Sequence, residues 1–220
     1  MEIVGVFNSL SKTRLFLIIV FSNILISWLL KIVLVNDIVF YNTYSEQLTY
    51  ERSMVLFENM KRFAWIGYLL IPILLFLKFL LISIVLYTCI FLYNLNNEIR
   101  FSTVFKIVIG CEIIFVFAAV IKFLWFTFFG GNYDLNDLTF FYPLSLINLF
   151  TIAEVDRIWI YPLQIVNLFQ ILYILALSYG LKKFGGVTDS SSDRIVLSSY
   201  VPAMAIWVAL IIFISLDSAV

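Results

Sequence analysis

Histidine is absent from these 220 residues. Its absence removes the commonest metal ligand, haem ligation through an imidazole, and every catalytic triad that needs an imidazole base. Cysteine is scarce: Cys89 and Cys111 both fall inside apolar runs, which argues against a disulfide framework. Charge is scarce too. Only 13% of residues are charged, and fourteen basic side chains cancel fourteen acidic ones, so no basic field exists to hold nucleic acid. The sequence holds no Walker A phrase, no H-E-x-x-H, no G-x-S-x-G and no acidic pair at metal-binding spacing on a helix. No enzyme signature, cofactor site or metal site is therefore expected.

What remains is apolar bulk. At 63% hydrophobic the chain is too apolar for a soluble domain, and several runs exceed the roughly 18 residues that mark a membrane span. These runs are continuous and do not alternate, which excludes a membrane β-barrel. The expected fold is all-α: a polytopic membrane helix bundle forming one domain over residues 1–220. Its five spans fall at about 15–35, 63–93, 104–129, 158–181 and 195–216. The first run is too long for a signal-peptide core and lacks a small-residue cleavage site. The polar stretch 36–62 suggests an amphipathic helix over the membrane surface. The run 63–93 would be about 46 Å long as a helix, so it must tilt, kink at Pro72 or project.

One phrase is written twice. Residues 142–150, YPLSLINLF, return nineteen positions later as YPLQIVNLF, with six of nine places identical. The first copy lies in an apolar stretch, 139–153, too short to cross a bilayer. A re-entrant hairpin or an interfacial helix is expected there, with Pro143 in a first helical turn. The second copy opens the fourth span. The simplest packing sets Pro143 and Pro162 at two adjacent helix starts, Tyr142 and Tyr161 as interfacial anchors, and Asn148 and Asn167 turned towards protein.

Polar residues inside spans are the one site-like feature. Counting about 1.5 Å per residue from the span ends, Asn23 and Glu112 lie about 12 Å deep, with Gln170 and Lys78 near the same level. A lone intramembrane charge costs about 2.5–3.5 kcal/mol on insertion scales, so Lys78 and Glu112 are expected to seek each other. Such a pair can serve as a satisfied structural lock or as part of a solute route. Lys31 and Lys122 lie near span ends and can snorkel. In the fourth span Gln164, Asn167 and Gln170 recur at steps of three, an inward face whose amides bond neighbouring helices.

With the N-terminus inside, inner segments carry Lys12, Arg14, Arg100, Lys106, Lys182, Lys183 and Arg194, against Arg52, Lys61, Arg62 and Arg157 outside. This bias predicts a membrane protein with its N-terminus inside and its C-terminus outside. Five spans after a short N-terminus, in that orientation, resemble the Yip1-type membrane family. The phrases FYPLSL at 141–146 and YPLQ at 161–164, with the span that follows, resemble a group of multi-span proteins from Bacteroidota-type bacteria. That resemblance implies a bacterial cytoplasmic membrane and a non-enzymatic adaptor that binds membrane proteins or lipids, and it carries over no catalytic residue. The alternative is a permease subunit or small-solute carrier lined by Asn23, Lys78, Glu112 and Gln170.

Overall fold

A computed structural model describes residues 9–45, 48–95, 99–151 and 155–217, excluding the side chains of Asp189 and Asp217. The chain is all-α. Helix α1, Lys12–Leu29, starts where Ser11 accepts a hydrogen bond from the Arg14 amide, and it runs on as a π-helical turn, Leu30–Leu34. Helix α2, Asp37–Tyr44, is capped by the Asn36 side chain. Helix α3, Tyr50–Leu92, is 43 residues long, or about 65 Å. Helices α4, Phe101–Cys111, and α5, Ile113–Phe128, meet at Glu112. Then come α6, Leu135–Phe140, a 3-10 turn, Leu146–Leu149, and α7, Arg157–Ile165. Helix α8, Leu168–Gly185, closes on Gly186, whose φ of +76° suits glycine. Helix α9 is Asp189–Asp217.

Among the described residues, four helices are long and apolar enough to cross a membrane by length and composition: Lys12–Leu34, Tyr50–Leu92, Phe101–Phe128 and Ser190–Leu216. This is the architecture of an integral multi-span membrane protein, with apolar helices in contact with lipid. The expected fourth span, 158–181, is not among the four because it is divided. Helix α7 stops at Ile165, Val166 and Asn167 leave helical geometry, and α8 begins afresh at Leu168.

Two further expectations are corrected. The polar stretch 36–62 is not one surface helix: α2 takes its first part, and α3 begins at Tyr50 and passes unbroken from charged into apolar sequence. The stretch 139–153 is not a helix either. Helix α6 ends at Phe140 because Pro143 follows closely, and among the described residues 141–151 only the four-residue 3-10 turn is helical. Ile152 and Ala153 of that stretch, and Glu154 beyond it, lie outside the described residues.

One end of the bundle gathers the start of α1, the end of α3, the start of α4, the end of α8 and the start of α9. There Lys12 Nζ donates to Ser102 Oγ at 2.5 Å, and Ser178 donates to the Asp193 carboxylate. The main core fills this half: Phe79, Leu86 and Ile90 of α3, Val104 and Ile107 of α4, Leu177 and Leu181 of α8, and Ile195 of α9. A second, smaller cluster at the far end joins Leu34, Val39, Phe126 and Leu138. It is pinned by polar bonds, with Tyr133 Oη donating to the Leu34 carbonyl at 3.1 Å and Thr43 Oγ1 accepting from the Leu135 amide at 2.9 Å.

Candidate functional site

The span Phe101–Phe128 is broken for one residue, and that residue is its one acid, Glu112. The local hydrogen bonds tighten there: the Glu112 amide reaches Ile109 O at 3.2 Å and the Phe115 amide reaches Glu112 O at 3.0 Å, both three residues back. The Glu112 carboxylate is buried. Lys78 Nζ of α3 donates to its two oxygens at 2.7 and 2.9 Å and sits 4.3 Å from the centroid of the Phe115 ring. The pair is asymmetric. The Lys78 side chain is 39% exposed and that of Glu112 only 3%, so the cation reaches in from the bundle surface towards a hidden anion. One ammonium thereby satisfies both carboxylate oxygens and fixes α3 against the joint between α4 and α5.

The other two members of the expected layer do not join this pair. Asn23 donates to Ile19 O of its own helix at 2.9 Å. Gln170 donates to Tyr200 Oη at 2.7 Å and contacts Met204 Sδ at 3.0 Å, which ties α8 to α9. Aromatic rings fill the gap between Gln170 and the ion pair. Phe115 lies 4.9 Å from Tyr173, and Tyr173 lies 5.5 Å from Tyr200. The Tyr173 hydroxyl is fully buried and, among the described residues, is the buried side-chain polar atom without a hydrogen-bond partner. Tyr173 had a readable signal, since it continues the steps of three from Gln164 through Asn167 and Gln170. Tyr200 had none.

The twin phrases meet, though not as two helix starts. Ser145 of the first copy and Asn167 of the second form an antiparallel bridge, with the Leu146 amide on Val166 O at 3.0 Å and the Leu168 amide on Leu144 O at 3.1 Å. The unwound backbone between α7 and α8 is thus completed by the first copy, which satisfies polar groups that would otherwise face an apolar surround. Leu144 takes a left-handed φ of +53° to make the turn. Asn167 is buried: its side chain caps α8 through the Gln170 amide at 2.8 Å and donates to Gln164 O and Ile165 O at 2.8 and 3.0 Å. Asn148 is exposed, and its amide turns back to Tyr142 O at 2.7 Å. Gln164 bonds Phe140 O at 2.7 Å. Pro143 is buried in the turn and starts no helix, whereas Pro162 lies inside α7. Tyr161 Oη accepts from Trp207 Nε1 of α9 at 2.7 Å.

Two surface cavities, of about 600 and 390 Å³, lie elsewhere, and neither is lined by Lys78 or Glu112. Among the described residues, no group of three or more Cys, Asp or Glu is placed to hold a metal ion. The comparisons with known proteins give no relative: no protein-family model matches the chain, and no curated protein or solved structure is significantly similar to it.

Proposed function

We propose that this chain is a non-enzymatic membrane adaptor of Yip1-like type, whose long helix α3 receives another membrane protein. One observation carries the reading. The charged part of α3, around Glu51, Arg52, Glu58, Lys61 and Arg62, also shows a stripe of large apolar side chains at helical spacing. Leu56, Met60 and Phe63 are 43%, 55% and 60% exposed. A helix of about 65 Å outruns a hydrocarbon core of about 30 Å. From Phe63, at the edge of the apolar run, the stripe therefore leads through Met60 and Leu56 beyond the lipid that would cover it, and a protein partner is the natural cover. The closed Lys78–Glu112 pair supports a scaffold more than a conduit.

The reading takes α7 and α8 together as a fifth span, with the N-terminus inside and the C-terminus outside. In a background lacking Cys89 and Cys111, a cysteine replacing Ser191 should react with an impermeant reagent only after the membrane is opened. One replacing Asn132 should react in intact cells, and the reverse pattern overturns the threading. For the partner, a photo-crosslinker at Met60 should capture one defined membrane protein. Leu56→Ser with Phe63→Ser should abolish the capture while the chain stays folded, and unchanged capture would refute the stripe as the docking face.

A second reading, a small-solute carrier, draws on the helix break at Glu112 and the unpartnered Tyr173 hydroxyl. It requires Glu112→Gln to abolish flux across proteoliposomes, whereas the adaptor reading requires no flux to begin with.

A further inference from the structure

The larger cavity is an open groove of about 600 Å³ between the end of α1, the start of α2 and the middle of α3. Its walls are apolar: Trp28 and Ile32 from the first span, and Phe57 and Tyr68 from α3. Its polar members are Asn36, Asp37, Lys31 and Lys61. The Asn36 side chain is already committed to the Val39 amide at 2.9 Å. Lys61 meets Asp37 at 3.4 Å, with side chains 54% and 58% exposed, a loose pair of the kind that contributes little. The same ammonium lies 4.0 Å from the centroid of the Phe57 ring. The Lys31 ammonium has no hydrogen bond or ion pair among the described residues.

The position of the groove decides what it can hold. Lys61 and Arg62 end the charged part of α3, and the apolar run starts at Phe63, so the groove straddles the level at which lipid head groups meet lipid chains. Trp28 and Tyr68 are the aromatic types that settle at that level. A free anion would use the lysines and leave the apolar walls wet. A lipid uses both, with its phosphate between Lys31 and Lys61 and the first part of one chain along Trp28, Ile32 and Tyr68. The volume lies within the range of about 300–1,000 Å³ typical of small-molecule sites. We infer that the groove holds one anionic phospholipid, recognised by Lys31 and Lys61. This goes beyond the adaptor reading and is independent of it, because a chain that docks no protein can still bind the lipid.

The test uses the full chain, stripped of lipid in detergent, with Trp28 as the reporter. Phosphatidylglycerol carrying brominated chains is titrated against phosphatidylcholine with the same chains, and tryptophan quenching is read. The anionic lipid should quench at about tenfold lower mole fraction, and Trp28→Phe should remove that selective component. Each lysine near a membrane surface is worth roughly fivefold in attraction to anionic lipid, so Lys31→Gln with Lys61→Gln should erase the preference. Asp37→Asn frees Lys61 and should widen the preference, a gain that a merely damaged fold would not show. Equal quenching by the two lipids in the unaltered chain overturns the inference. So does a preference that survives the double lysine change or Trp28→Phe. Sodium phosphate alone, if it abolishes the quenching difference at millimolar concentration, reduces the groove to an ion site and also overturns it.

Discussion

The two ends of the bundle are held together by different physics. At the end where α3 stops and α4 starts, side chains do the work. Phe79, Leu86, Val104, Leu177 and Ile195 have no exposed surface, and α8 approaches α4 so closely that a Cβ on Gly180 would lie 2.4 Å from Ile107 Cγ2. At the far end, cohesion comes from polar groups answering backbone: Tyr133 on Leu34 O, Thr43 under the Leu135 amide, Gln164 on Phe140 O, and the bridge between Ser145 and Asn167. Packed helices satisfy their own backbone, so small residues and tight contact suffice. A broken helix beside a non-helical segment exposes amides and carbonyls, and each needs a partner. The Lys78–Glu112 pair sits where the broken span Phe101–Phe128 changes from one regime to the other.

The ion pair should give the largest effect, and an unequal one. Lys78→Met strands a carboxylate with 3% side-chain exposure, at a cost of about 3–5 kcal/mol. Glu112→Gln leaves a lysine on the lipid side of the bundle, 39% exposed. A lone charge there costs about 2.5–3.5 kcal/mol, less whatever it recovers by snorkelling, so this change should cost somewhat less. Thermal stability in one detergent should rank the unaltered chain highest and Lys78→Met lowest, and the double variant should recover most of the loss. Equal single losses that add in the double variant would show that the two side chains do not support each other.

The packed end makes the next prediction. Gly180→Ala forces a methyl group against Ile107, an overpacking that typically costs about 1–3 kcal/mol. Ile107→Ala in the same chain should relieve the clash, so the pair of changes should cost less than the two singles summed. Gly67 on the exposed flank of α3 has nothing within 4 Å of an added Cβ, and Gly67→Ala should leave stability unchanged or slightly higher. If Gly180→Ala is as silent as Gly67→Ala, α8 and α4 do not meet as described.

At the far end the twin asparagines should separate. Asn167→Leu removes the cap of α8 and two bonds to the unwound turn, and should cost about 1–2 kcal/mol despite the gain in apolarity. Asn148→Leu removes one bond from an exposed residue and should cost no more than about 1 kcal/mol. Equal losses in a thermal melt would mean that the two copies carry equal roles, against the geometry.

The sequence made the apolar runs legible because 18 or more continuous apolar residues have few alternatives to a buried or membrane helix. The Lys78–Glu112 contact was legible for the same reason, since opposite charges stranded in apolar helices have strong cause to meet. The fourth span misled because it stays largely apolar on both sides of Asn167, and a single amide does not mark a break in such a run. The break there depends on the backbone of residues 144–146, about twenty positions earlier, and a linear reading does not register such a bridge. The repeat hid its own asymmetry. Leu144 turns left-handed while its counterpart Leu163 stays in α7, although both follow the same Tyr-Pro pair.

An effect that is absent at neutral pH lies at the seam between the two ends. Tyr142 opens the first copy, between the spans, and burial pushes its phenol up from 10.0 to about 12, with the Glu112 carboxylate adding to the rise. A group whose folded pKa is raised binds its proton more tightly when folded. The stability this confers is complete below pH 10, where the phenol is neutral in both states, and is lost as pH rises through about 12. Many lysines and tyrosines titrate in the same window, so the useful quantity is a difference. Tyr142→Phe should match the unaltered chain in thermal stability from pH 7 to 9, because the hydroxyl donates no hydrogen bond among those described. Between pH 10 and 12 the unaltered chain should fall faster, since only it must bury or expel a phenolate. Parallel curves across that window would place Tyr142 in water, and would remove the inward link between the first copy and the buried acid of the broken span.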